Sequence, residues 1–472
     1  MKKIHYTIAF TLAFWITAFV ATAQLPLKLP ALLSDNAVLQ KSATVKLWGK
    51  GPASFDLKII ASWNLKDTIQ LQIPASSTWE TLLQTPDLTT PQSIQFICGQ
   101  ESKTISNILL GDVWLCAGQS NMEMNHNWGY DKNDSLYSLT YNNDIRFFEV
   151  EKNYDDLPQS EIKGKWVICD TATAKTFSSV AYFFGKQVNK VTHHPIGLIG
   201  SYWGGTNIQT WMPAESFLDE PLKSTVSFIE PYGWAPKGVA SLYNAMIYPL
   251  HRYSVNGVLW YQGEANVDWN WNEYSLLLSE MVKSWRRIFN QPLPFFAVQI
   301  APWNGYGKNR SAVLREQIRN ASAIIPQYES IDIADLVPDI KDIHPIKKRE
   351  VGLRLANQAL LKVYGKTSIN TIGPSVINTE ISKKGILLTC KTVGPLKSSM
   401  NNIPGFLLAG SDGVFYEATA RIISKEKILV SSKKVTKPIY VRYSFDNESV
   451  STIFDDTGLP LQQFRSDNFI IE

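Results

Sequence analysis

From Gly111 onward the chain alternates short apolar runs with longer amphipathic ones, and that alternation leaves few architectures open. The apolar runs are Val113–Ala117, Ile196–Ser201, Gly257–Tyr261, Phe295–Ile300 and Ser330–Ala334. Between them, Ser179–Lys190, Asn272–Asn290, Ser311–Ala323 and Lys347–Tyr364 carry helical spacing; in the second, Tyr274, Leu277, Leu278, Met281, Trp285 and Ile288 share one face. Strands separated by helices imply a parallel sheet with helices on both faces, because such strands bury both sides. Open sheets of this kind bind ligands at the carboxyl ends of their strands. The first run stops abruptly there: Gly118 relaxes the backbone, and Ser120 arrives where the strand hands over to a loop or helix. Such a serine is either a helix cap or a reactive group.

The flanks have a different texture. Residues 24–106 read as an all-β, sandwich-like domain, with alternating or apolar runs such as Val45–Trp48, Phe55–Ile60 and Ser93–Cys98 between turn residues. Residues 367–472 return to strands at Gly385–Cys390, Lys427–Val430 and Ile439–Tyr443. The α/β segment between them spans 107–366. At the start, Lys2 and Lys3 precede an apolar run, Ile8 to Val20, and Ala21-Thr22-Ala23 closes it. That is the layout of a signal peptide over residues 1–23, cleaved after Ala23, so a periplasmic or extracellular protein is expected.

Composition excludes some partners. A net charge of +4 predicts neither nucleic acid nor an anionic membrane as a partner. The four cysteines, Cys98, Cys116, Cys169 and Cys390, are widely spaced and form no metal pattern. Free thiols are expected, with a Cys98–Cys116 bridge as the one alternative. No HExxH, P-loop or GxGxxG follows these strands, so neither a metal nor another cofactor is expected. Gly118-Gln119-Ser120-Asn121-Met122 departs from G-x-S-x-G at Met122, which argues against a nucleophile elbow.

A serine hydroxyl attacks a carbonyl only with a base and an oxyanion site. Of the six histidines, His5 leaves with the leader. His193, His194 and His251 precede the amino ends of strands, on the wrong edge. His126, six residues past Ser120, can line the same cleft. His344 follows the last apolar run, on the serine's edge, with Asp342 near enough to orient its imidazole. Two loops offer oxyanion donors: the Gly204-Gly205 turn through its N–H groups, and Gln262 or Asn266 through a side-chain amide.

Several blocks together resemble the SGNH hydrolases and, within them, the sialate O-acetylesterase family. They are Gly111-Asp112-Val113-Trp114-Leu115 through Gly118-Gln119-Ser120-Asn121-Met122, Trp203-Gly204-Gly205-Thr206, Trp260-Tyr261-Gln262-Gly263-Glu264 and Asp342-Ile343-His344-Pro345. The resemblance implies a flavodoxin-like three-layer α/β/α catalytic domain. It also implies metal-free hydrolysis of O-acetyl esters on sugars, sialic acids foremost. Carried over by position, Ser120 is the nucleophile and His344 the base, and the Ser120 N–H, the Gly205 N–H and the Gln262 side chain form the oxyanion hole. The acid position three residues before the histidine is Lys341 here. Asp342 is the substitute, Asp339 a weaker one, and a backbone carbonyl would make a dyad. Asn121, Trp203, Glu264 and Asn266 are expected to line the pocket for an O-acetylated sugar or glycan. Two alternatives stand beside this reading: an acetylesterase of xylan or another polysaccharide, and a carbohydrate-binding protein without activity.

Overall fold

Val113, Leu115 and Ala117 point to one face of the central sheet and Trp114 and Cys116 to the other, all of them buried. A strand with no polar side can only sit inside, and here it is the fourth of seven in a row. In the computed structural model, which describes residues 25–226, 234–236 and 238–471, this strand runs without a break from Glu101 to Gly118. The expected leader, residues 1–23, lies outside the described residues.

The order across the sheet is Tyr328–Ile331, Phe295–Val298, Gly257–Tyr261, the serine strand, Ile196–Tyr202, Asn142–Glu149 and Trp166–Cys169. All neighbours pair parallel except the last two strands, which are antiparallel. After Ser120 the chain builds one side of the sheet, then crosses to build the other. The carboxyl end of the serine strand is therefore a switch point, where the crossovers part and leave a crevice. Helices Ser179–Thr192 and Lys348–Lys362 cover the Trp114 face through Val180, Phe184, Val351 and Leu355. Helices Tyr274–Phe289 and Arg310–Asn320 cover the Val113 face through Leu277, Met281, Trp285, Leu314 and Ile318.

The amino-terminal half of the serine strand pairs antiparallel with Gln92–Cys98, and Val38–Gln40 pairs with Leu109–Gly111. The N-terminal strands are thus continuous with the central sheet and share its core. Near the C-terminus a seven-stranded antiparallel sheet carries its own core, including Ile386, Leu388, Ile428, Val430 and Val441. It docks on helix Arg310–Asn320, where Arg315 Nε donates to Gln463 (2.8 Å) and Arg465 pairs with Glu316 (2.7 Å).

The strand reading needs correction at two points. The strand expected at Ser330–Ala334 forms at Tyr328–Ile331, because Ile333 and Ala334 are buried in the following loop rather than in a ladder. The sheet also contains Asn142–Glu149 and Trp166–Cys169, which the apolar runs do not mark; the first carries a fully buried Arg146 that interrupts its apolar pattern. The four thiols are free and buried, as expected, and the alternative Cys98–Cys116 bridge is not formed. Cys98 pairs across from Glu101, at the far end of the strand that holds Cys116. At roughly 3.3 Å per residue, that separation far exceeds the ~6 Å between bridged α-carbons.

Among the described residues no helix is long and apolar enough to cross a membrane, and no three His, Cys, Asp or Glu side chains converge as a metal site.

Candidate active site

Gly118 sets the exit of the serine strand. Its φ is +142°, and a Cβ there would lie 2.1 Å from the Tyr261 carbonyl oxygen, so only glycine fits. Both neighbouring strands pin this exit: the Gln119 N–H donates to the Tyr261 carbonyl and the Trp203 N–H to the Gly118 carbonyl, each at 3.0 Å. Ser120 then opens a single helical turn, Ser120–Glu123. The hydroxyl residue is partly exposed, while Asn121 and Met122 behind it are buried. The Ser120 N–H belongs to a first turn that has no use for it, and among the described residues it donates to no protein acceptor.

The Trp203–Thr206 turn abuts the serine. A Cβ on Gly204 would stand 3.0 Å from Ser120 Cβ, so the glycine permits the contact. The Gly204 N–H is already spent on Glu123 Oε2 (3.0 Å), whose other oxygen pairs with Lys152 (2.6 Å). Gly205 has φ +71°, and its N–H meets no acceptor among the described residues. The indole of Trp234 lies over its α-carbon. Trp203 is half-buried at the rim, with Lys152 Nζ 5.4 Å above its ring and Tyr154 edge-on at 6.3 Å.

His344 follows the last strand on the same edge. Its Nδ1 lies 3.9 Å from Asp342 Oδ1, and its backbone N–H donates to that same oxygen at 2.8 Å. Asp342 is half-exposed, so it stands beside the imidazole without a hydrogen bond to it. Asp339 accepts from the Lys341 N–H, and the Lys341 carbonyl accepts from Trp303 Nε1 (3.1 Å); neither reaches the ring. Trp128 meets His344 edge-on at 6.0 Å. Burial holds the imidazole below its usual basicity, the Lys348 charge adds to that, and Asp342 and Glu123 work against it.

The other histidines are elsewhere. His193 caps a helix, His194 pairs with Asp112 at 2.8 Å on the opposite edge, and His251 bonds the Tyr248 carbonyl. His126 is stacked on Tyr130 at 4.3 Å and touches Tyr137, so it is held within an aromatic cluster.

Four side chains expected to meet substrate or oxyanion are inner supports instead. Gln262 is fully buried; its amide hydrogens go to the Thr206 carbonyl (3.0 Å) and Asn266 Oδ1 (2.9 Å), and its oxygen accepts from Tyr274 (2.6 Å). It fastens two loops together and has no hydrogen left for an oxyanion. Asn266 is likewise enclosed, donating to Gln209 Oε1 (3.1 Å) and accepting from the Ile208 N–H (3.0 Å). Asn121 lies beneath Ser120, donating to Glu264 Oε1 (2.5 Å) and the Ile343 carbonyl (3.0 Å) and accepting from Lys348 Nζ (2.5 Å). Glu264 is 8% exposed, and burial raises its carboxyl above the usual range. The sequence does not mark Lys348, one of two adjacent lysines at a helix start; nothing short of the fold shows it as buried.

Residues 110–361, more than half of the chain, match the family model described as carbohydrate esterase, sialic acid-specific acetylesterase. The sialate O-acetylesterases of Homo sapiens and Pongo abelii are 26% and 27% identical to this chain, each over 78% of it and 77% of their own length. A crystal structure of a carbohydrate acetylesterase from Xanthomonas citri superposes with a TM-score of 0.83 at 30% identity, covering 94% of this chain and 100% of that one. The chain belongs to the sialic acid-specific acetylesterase family of carbohydrate esterases.

Proposed function

We propose that this esterase removes O-acetyl groups from carbohydrates, with O-acetylated sialic acids as substrate, through an acetyl-Ser120 intermediate on an SGNH-type α/β/α domain. One observation carries the assignment of residues: the Asn121 amide, directly after Ser120, bonds the carbonyl directly before His344. That bond supports pairing the Ser120 hydroxyl with the half-buried His344 imidazole, and the Ser120 and Gly205 N–H groups, which no protein atom uses among the described residues, support the oxyanion site.

The chemistry follows from these parts. His344, held neutral by burial and by Lys348, takes the Ser120 proton as the oxygen attacks the acetyl carbonyl. The Ser120 and Gly205 N–H groups receive the oxyanion. The imidazolium returns its proton to the departing sugar oxygen. Water, deprotonated by His344, then attacks the acetyl-enzyme; acetate leaves and Ser120 recovers its proton. Asp342 steadies the imidazole loop from the solvent side. The aromatic rim of Trp128, Trp203 and Trp234 offers faces for a sugar ring. The charged leader-like start, residues 1–23, supports export as part of this reading.

Acetate release measured across O-acetylated sialic acids, acetylated xylan and acetylated monosaccharides tests the proposal. Preference for the sialic acids, with loss in Ser120→Ala, is expected. Equal activity on xylan would replace the substrate, and unimpaired Ser120→Ala would overturn the mechanism.

A further inference from the structure

We propose that Lys348, Asn121 and Glu264 form a buried relay that positions His344 against Ser120 and imposes a positive charge on the imidazole's surroundings. The inference rests on the hydrolase reading above and adds residues that do not themselves touch the ester.

Three separate elements supply the relay: the start of helix Lys348–Lys362, the single turn after the serine strand, and the loop after Gly257–Tyr261. Lys348 is 1% exposed, Asn121 0% and Glu264 8%. Burying an ammonium and a carboxylate is unfavourable unless each compensates the other. Here they do so through an amide rather than by contact. The Asn121 oxygen meets Lys348 and its nitrogen meets Glu264, both at 2.5 Å.

The two charges thereby decide which way the amide faces. Reversed, it would set NH2 against an ammonium and C=O against a carboxylate. With the orientation fixed, the second amide hydrogen has one direction left, and it donates to the Ile343 carbonyl at 3.0 Å. The register of His344 therefore depends on a charge pair on the far side of Asn121.

The same ammonium acts on His344, one helical turn before it in the chain. Lys348 lowers the imidazole's affinity for a proton, Asp342 and Glu123 raise it, and Glu264 and Asp342 face Lys348 itself. The ring of Tyr261 lies 5.3 Å from Lys348 Nζ. Burial brings the Lys348 ammonium down to about 7, so its charge depends on Glu264 remaining opposite it.

Phosphonylation of Ser120 by a fluorophosphonate, followed as a rate against pH, reads the ionisation of His344 without reference to any sugar. In Lys348→Met the acid limb is expected to move to higher pH, with the rate on that limb lowered about tenfold for each unit moved. Lys348→Arg keeps the charge and the wild-type limb. Glu264→Gln, nearly isosteric, is expected to move the limb in the same direction as Lys348→Met and carries the test if Lys348→Met does not fold. A wild-type protein that labels while both neutralising variants keep its limb and rate overturns the relay alone. A wild-type protein that neither labels at Ser120 nor releases acetate overturns the hydrolase reading and the relay with it.

Discussion

Asn121 Nδ2 donates to the carbonyl of Ile343 across 3.0 Å, so the residue after Ser120 holds the residue before His344. Alignment of two catalytic groups on different segments is sensitive to small displacements. Asn121→Ala should lower kcat on an aryl acetate about a hundredfold. It also leaves Lys348 and Glu264 buried without their mediator, at a cost of about 3 kcal/mol. Urea unfolding beside steady-state kinetics separates the two effects.

Ser120→Ala removes the proposed attacking oxygen. Acetate release should fall by at least ~10³-fold, with Tm close to wild type because the side chain is partly exposed. Capture of a fluorophosphonate at residue 120, read by peptide mass, should vanish in the same variant.

Asp342 should matter less than the buried acid of a full triad. Its carboxylate is half-exposed and 3.9 Å from His344 Nδ1. Asp342→Ala should cost about tenfold in kcat, against the ~10⁴ that follows loss of a hydrogen-bonded acid. Asp339→Ala should leave kcat/KM unchanged. A loss of thousands of fold at Asp342 would show that the two groups close up when substrate binds.

Gln262→Leu separates support from catalysis. Thr206, Asn266 and Tyr274 each lose a buried partner, and the fold should lose about 3 kcal/mol. An oxyanion donor would instead cost ~10²–10³ in kcat with stability intact. Denaturant midpoints and kcat of the folded protein distinguish these outcomes.

The pH profile has a definite sign. As the proposed base His344 works unprotonated, and burial, with the Lys348 charge, lowers its pKa from the ordinary imidazole value. Activity should therefore fall as pH drops through that lowered value, and its acid limb should lie below that of a free imidazole. An acid limb centred above 6.5 would contradict the surroundings described for the ring.

The parallel sheet was legible because Val113–Ala117, Ile196–Ser201 and Gly257–Tyr261 are apolar on both faces and bounded by helical periodicity. Asn142–Glu149 was not, since Arg146 sits fully buried within it. Ser120 and His344 could be placed by edge, as strand direction follows from chain order. What the side chains of Gln262, Asn266, Asn121 and Glu264 do could not be read the same way. An amide or carboxylate in a loop after a strand looks identical whether it faces substrate or another loop. Only the partners at 2.5–3.1 Å decide, and those come from segments far off in the chain, Lys348 above all.

The unbroken strand Glu101–Gly118 bears on how small this enzyme can be made. A protein trimmed to the family-matched residues, 110–361, would begin in the middle of it. Such a cut removes Leu32, Leu33, Val38 and Leu39, which share one apolar core with Val113, Leu115 and Ile199. The apolar surface so exposed would invite association between copies. The N-terminal strands thus serve the esterase as a cover for its core, and deleting them should give aggregation rather than a minimal soluble catalyst.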